Sequence, residues 1–342
     1  MYESINYKKR DNQLVQCNTC SHFCEIQPGN VGVCAVRKNI QGKLELLVYG
    51  QAAAANIDPV EKKPLFHFYP GSQTFSVGTL GCNFRCDNCQ NYEISQIDKL
   101  KLEQSLQNYG IAISAQEIVD RALNGNCKSI AYTYNEPTIF LEYALDIMKL
   151  ARKKGLKNIW VSNGFMSNST LEMIAPYLDA INIDLKSFDQ DFYQKYCGAD
   201  LPIVKQNCQQ IINYNIWLEL TTLIIPDYTD DYKMLGKLTN FIKNRLGEQV
   251  PWHISAFSPE ISWKMRDGKP TSLELLYNIY KIGKKAGLKY VYAGNVVDEG
   301  LDDTVCDHCK AKVIKRIGYK VSNNLDDNKC FNCQREIQGV FK

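Results

Sequence analysis

The sequence predicts an α/β protein: a parallel sheet, open or closed into a barrel, over residues 75–297, between two cysteine-rich modules at 1–74 and 298–342. Three observations carry that expectation. Short apolar runs alternate with amphipathic stretches through the middle of the chain, the pattern of successive strand–helix units. Cysteines gather at both ends, outside that alternation. A third cysteine group follows the first apolar run directly, where a strand would hand over to a loop.

In the first module, "CNTCSHFC" and "GVC" set Cys17, Cys20, Cys24 and Cys34 close together in sequence. Four such thiolates can hold zinc or an extra iron–sulfur cluster, with His22 as a competing ligand, and a structural metal is the expectation. "DPVEKKPLFHFYPG", 58–71, reads as a strand-to-strand connection with a solvated charged tip, since loop charge is usually solvated. A partner-docking segment or a lining for the barrel mouth is the alternative.

The strands of the alternating region are expected at 74–80, 129–134, 158–163, 180–185, 217–225, 251–257 and 289–294. Helices are expected at 114–124, 137–155, 168–178, 201–215, 230–247 and 271–287. "ARKKG" and "GKKAG" place basic residues in a last helical turn and glycine after it. "SNST" and "DYTDD" supply N-caps.

The final module spaces Cys306, Cys309, Cys330 and Cys333 as two C-x2-C knuckles. Facing knuckles complete a tetrahedral S4 site, so a zinc-ribbon-like fold is expected, with a rubredoxin-like iron site possible on the same ligands. The metal would staple a segment too small to build its own core. Cys127, Cys197 and Cys208 stand alone and read as packing.

Composition narrows the function classes. A net charge of +3 with scattered Lys and Arg argues against nucleic acid as a partner. No apolar run reaches membrane-spanning length, and "MYESINYKKRDNQ" has no apolar signal core. The expected location is the cytoplasm, where 14 cysteines are more readily metal or cluster ligands than disulfides.

The triplet in "TLGCNFRCDNCQN" asks for a different chemistry. Cys82, Cys86 and Cys89 are spaced C-x3-C-x2-C, with no fourth local cysteine. Three thiolates on a 4Fe–4S cluster leave one iron open to a ligand, whereas electron-transfer ferredoxins fill all four positions. Ligands of parallel α/β folds bind at the carboxyl ends of strands, and "YNEPT", "SNG", "DLK" and "HISAF" occupy that rim or its strands.

Taken in order, these motifs resemble the radical S-adenosylmethionine (SAM) superfamily, in the branch containing pyruvate formate-lyase activating enzymes and other glycyl-radical-enzyme activases. "CNTCSHFCEIQPGNVGVCAVR", "DPVEKKPLFHFYPG", "GCNFRCDNCQNYEISQ", "AYTYNEPTIF" and "YCGA" are similar to the AmmeMemoRadiSam-system radical SAM enzymes over nearly the whole chain. The resemblance implies a partial (β/α)6 TIM-like barrel, a 4Fe–4S cluster on Cys82, Cys86 and Cys89, and SAM as cofactor. Asn135 and Glu136 would lie near the SAM amino group, Ser162 and Asn163 near ribose or carboxylate, and Asp184 and Lys186 along the SAM pocket. His253 is a weaker candidate, since a histidine after Trp252 on an apolar strand is often a satisfied core residue.

Two departures bear on the site. The residue before the third cysteine, commonly aromatic in such loops, is Asn88, so aromatic packing falls to Phe84 or Tyr92. Tyr134 and Asn135 stand where paired glycines are usual. Implied partners are a low-potential electron donor, ferredoxin or flavodoxin, and MEMO-like and AMMECR-like proteins. The contrasting reading is a scaffold that assembles those two proteins on iron–sulfur and zinc sites without turnover.

Overall fold

The computed structural model describes residues 1–98, 101–296 and 300–342. Its centre is one eight-stranded sheet with strands in chain order. These are β1 (Ala54–Pro59), β2 (Gln73–Gly78), β3 (Ser129–Tyr132), β4 (Lys157–Ser162), β5 (Ala180–Asp184), β6 (Trp217–Ile224), β7 (Trp252–Ala256) and β8 (Val291–Gly294). From β2 to β8 every neighbouring pair is parallel. The crossovers carry α1 (Ala115–Asn124), α2 (Leu141–Lys153), α3 (Asn168–Ile174), α4 (Leu201–Asn213), α5 (Tyr232–Phe241) and α6 (Leu273–Ala286).

All seven expected strands and all six expected helices are present, with ends trimmed by a few residues. The reason is visible in the sequence. Strands covered on both faces read as continuous apolar runs, and every residue of β3 is buried. Four of the six helices begin at side-chain caps: Ser114 in a full capping box, Ser167, Asp231 and Ser272. Gly287, with φ 96°, ends α6 in the left-handed conformation that basic-then-glycine endings anticipate.

One strand escaped the pattern. β1 pairs antiparallel with β2 at the sheet edge. Its "AANIDP" has neither a continuous apolar run nor clean alternation, so its pairing comes from the hairpin rather than its own pattern. That hairpin is the segment 58–71, a strand-to-strand connection as expected. Most of its charges, however, are not solvated, Lys62 being the exposed one. Asp58, Glu61, Lys63 and His67 are buried, and Asp58 accepts from Lys63 at 2.8 Å and from the Tyr134 hydroxyl at 2.7 Å. Pairing removes the cost that makes lone buried charges rare.

Small antiparallel sheets flank this core. In the first module Arg37–Ile40, Lys43–Leu46 and Tyr2–Glu3 form one sheet, and Tyr7–Lys9, Val15–Cys17 and Glu25–Ile26 another. A buried Arg37–Glu142 pair, 2.6 Å apart, ties this module to α2. In the last module Thr304–Val305, Lys312–Ile317 and Lys320–Asn323 pair in sequence. It packs through Val313, Ile314 and Ile337 on Phe66, Tyr290 and Tyr292. The expected boundary at 297/298 lies outside the described residues. Among the described residues no helix is long and apolar enough to cross a membrane.

Candidate active site at the carboxyl ends of the strands

The three-cysteine loop leaves β2 at Gly78 and runs to a short helix, Tyr92–Ser95. Cys86 is buried, and Cys82 and Cys89 are half-buried. The loop is shaped by its own sulfurs. The Phe84 amide donates to Cys82 Sγ at 3.4 Å, and Cys89 Sγ lies 3.1 Å from Ser95 Oγ. Burial pushes the Cys82 thiol well above its ordinary pKa, with the nearby Glu136 and Cys86 adding to it. Cys86 moves the other way, because Cys197 hydrogen-bonds to it.

Four of the expected contact residues come together as one network on this loop. Asn135 Nδ2 donates to the Gly81 carbonyl at 2.7 Å and holds the loop's first turn. Glu136 is buried, and burial raises its pKa against the hydrogen bonds it accepts. Its carboxylate accepts from Thr138 N and Oγ1, from Ser162 Oγ at 2.9 Å and from the Asn163 amide at 2.8 Å. The same carboxylate caps the short helix Pro137–Phe140 and reaches the end of β4. Asn163 Nδ2 in turn donates to Asn83 Oδ1 at 2.7 Å, inside the cysteine loop. The ends of β3 and β4 are therefore fastened to the cysteine loop through side chains.

Asp184 and Lys186 follow β5. Lys186 Nζ is 2.9 Å from Asp184 Oδ2, and the Lys186 amide donates to the Tyr193 hydroxyl at 3.1 Å. Burial works against the Lys186 charge, but Asp184, Cys86 and Cys197 outweigh it and hold its pKa above the usual lysine range. This pair is thus partly buried beside the cysteine loop, not a free surface bridge.

Phe84 and His253 sit elsewhere. Phe84 is buried, with Phe165 at 5.4 Å and Tyr193 edge-on at 6.4 Å between ring centroids, so it packs the loop from beneath. Tyr92 is half-exposed, and its hydroxyl accepts from Arg266. His253 joins a buried group instead of the rim: its Nε2 is 2.7 Å from Glu219 Oε2, and Phe66 meets its ring edge-on. Glu219 also accepts from the amides of Phe66 and His67 and from Trp217 Nε1.

Sequence reasoning left Cys197 as packing. It is fully buried, as that reading requires, but it also contacts the site. Its carbonyl accepts from the Arg85 amide at 2.9 Å, and its thiol is the hydrogen-bond partner of Cys86. "YCGA" already held the clue, since Gly198, at φ 70°, ends the helical turn Tyr193–Cys197 that brings this residue onto the loop. Asn83 was also passed over, and Asn88 was read only as a departure from the usual aromatic residue. Among the described residues, Asn83 Nδ2 and Asn88 Oδ1 are buried without a hydrogen-bond partner.

The donor set fits an iron–sulfur cluster with a polar co-ligand. It has three thiols on one loop, a lysine beside them that offsets thiolate charge, and two buried polar atoms without a hydrogen-bond partner among the described residues. Residues 76–238 match the radical SAM superfamily profile. The chain belongs to that superfamily and is an enzyme of it, and membership implies a 4Fe–4S cluster and SAM.

Among relatives, the uncharacterized protein MJ0808 of Methanocaldococcus jannaschii is 38% identical over 346 residues, covering 100% of both chains. The pyruvate formate-lyase-activating enzyme of Clostridium pasteurianum is 24% identical over 209 residues, covering 58% of this chain and 84% of that one. Among solved structures, Streptococcus suis SuiB bound to the precursor peptide SuiA superposes with a TM-score of 0.50 at 13% identity, covering 69% of this chain and 51% of that one. That last likeness is one of fold.

Proposed function

We propose that Cys82, Cys86 and Cys89 hold a site-differentiated 4Fe–4S cluster at which SAM is cleaved reductively, and that a hydrogen atom is then taken from a substrate bound at the same rim. The observation that carries the reading is the thiol triplet on the loop after β2, fastened through Asn83 and Asn135 to the ends of β4 and β3. When bound, the cluster and SAM supply one-electron cleavage of the sulfonium to methionine and a 5′-deoxyadenosyl radical.

The chain's own task is to bind, orient and exclude water. Asn135, Glu136, Ser162 and Asn163 fix the rim beside the open iron position, where the amino and carboxylate groups of SAM would lie. Asp184 and Lys186 supply opposite charges next to Cys86. The segment after β7 lies over the loop, with Lys264 N donating to the Asp87 carbonyl at 2.8 Å, and this limits solvent access to the reacting atoms.

The electron comes from a low-potential donor of the ferredoxin or flavodoxin type. Relatives named as activating enzymes support a protein glycine backbone as hydrogen source, and the motif resemblance supports MEMO-like and AMMECR-like proteins as partners. The last module is read as a zinc ribbon and residues 75–297 as a partial (β/α)6 barrel. Replacing any one of Cys82, Cys86 or Cys89 with Ala is expected to abolish SAM cleavage in the reconstituted protein. Full 5′-deoxyadenosine formation by one such variant would sink the assignment.

A further inference from the structure

The four N-terminal cysteines line one small hollow of about 10 Å³, with Arg37 and Ile139 also in its wall. They reach it from separate pieces of chain. Cys17 ends the strand Val15–Cys17, Cys20 bridges to Met166, Cys24 precedes the strand Glu25–Ile26, and Cys34 follows the turn at Gly32. His22 does not compete for the hollow, because its Nε2 is 2.8 Å from the Asn83 carbonyl.

The two four-cysteine sets differ in a way that identifies what each can hold. A single tetrahedral ion with metal–sulfur bonds of about 2.3 Å places its sulfurs about 3.8 Å apart. The C-terminal set has that geometry: Cys306 Sγ to Cys333 Sγ is 3.7 Å and Cys309 Sγ to Cys330 Sγ is 3.5 Å. Among the described residues it is the one group of three or more candidate ligands whose atoms all lie within 4.8 Å of one another. No three of the N-terminal sulfurs meet that limit. They line the hollow without forming such a single-ion group, as expected of thiolates that each bind a different iron of one cluster.

The position adds a second argument. The hollow's wall leans directly on the loop of the first cluster. A Cβ on Gly81, the residue before Cys82, would sit 2.5 Å from the Cys34 carbonyl oxygen, and Gly81 has φ 89°. Arg85 Nη2 donates to the Val33 carbonyl at 3.0 Å, and His22 Nε2 lies 2.8 Å from the Asn83 carbonyl. The two cysteine-bearing segments thus touch.

From this geometry we infer that Cys17, Cys20, Cys24 and Cys34 hold a second, fully cysteine-ligated iron–sulfur cluster, seated against the first, rather than a structural zinc. The inference does not rest on SAM cleavage, so it stands or falls separately from the proposed function. The test is metal analysis of the full chain after anaerobic reconstitution with iron and sulfide. Three proteins are compared: wild type, the triple Cys82→Ala, Cys86→Ala, Cys89→Ala variant, and the double Cys17→Ser, Cys34→Ser variant.

The triple variant is expected to keep about four irons and four sulfides, and the double variant to lose that number relative to wild type. An iron-free triple variant, with or without a second zinc beside that of the last module, would overturn the inference. Should the triple variant fail to fold, the double variant decides. An iron content equal to wild type would overturn the inference, and a loss of about four would support it.

Discussion

At the scale of single residues, neighbours decide roles that residue type leaves open. His253 and Glu136 were both read as rim candidates, yet only Glu136 reaches the cysteine network. The difference lies in partners far off in sequence. Glu219 collects four donors, and His253 is one of them, so the histidine has a structural partner already. Nothing in "PWHISAF" points to Glu219 or to Phe66. His253→Ala should therefore cost roughly 2–4 kcal/mol of stability in denaturant unfolding, while 5′-deoxyadenosine formation per folded molecule stays at the wild-type rate. Loss of turnover without loss of stability would return His253 to the site. His67 gives a pH prediction from the same group. Burial pulls its pKa from 6.5 down to about 4. The unfolded chain thus binds this proton more tightly than the folded one, and acid favours unfolding between those values. The stability involved is complete above about pH 6.5 and falls by roughly 3 kcal/mol as pH drops toward 4. Unfolding midpoints measured across that range should slope less steeply in His67→Gln than in wild type, and equal slopes would contradict the argument.

Elements were more legible than contacts between them. Seven parallel strands and six helices follow from apolar runs, caps and glycine stops, because strands buried on both faces read as short continuous apolar runs between amphipathic helix patterns. β1 was not legible, since its register is set by the hairpin at 58–71 rather than by its own residues. The cysteine modules were legible as ligand sets from spacing, but not in their sulfur-to-sulfur geometry, which depends on how distant segments converge. The last module illustrates the consequence. Its four thiols face one another at single-ion spacing, and its apolar residues rest on Tyr290 and Tyr292 at the β8 edge. Without a metal on these thiols the module would have little core of its own. Cys309→Ser should release one metal ion per chain and unfold this module before the sheet. Amide hydrogen exchange checks this: Val313 and Ile314 should lose protection while β3 to β6 keep theirs. Unchanged protection at those two residues would show that the metal is dispensable for the module.

For the molecule as a whole, the site is where three separately readable parts meet. The parallel sheet supplies a rim, the loop after β2 supplies three thiols, and the first module presses Cys34 and His22 onto that loop. The order of motifs made the rim legible, while Cys197 and the contact between the two cysteine sets depend on segments that only folding brings together. Radical chemistry at the three-cysteine loop is the claim on which the rest turns. Its most direct measurement is 5′-deoxyadenosine formation from SAM, under anaerobic conditions, by the reconstituted and chemically reduced protein, with cluster content measured in the same sample. The account predicts product from the intact chain and none from the triple Cys82→Ala, Cys86→Ala, Cys89→Ala variant. A fully loaded, fully reduced cluster at the loop that leaves SAM uncleaved would contradict it.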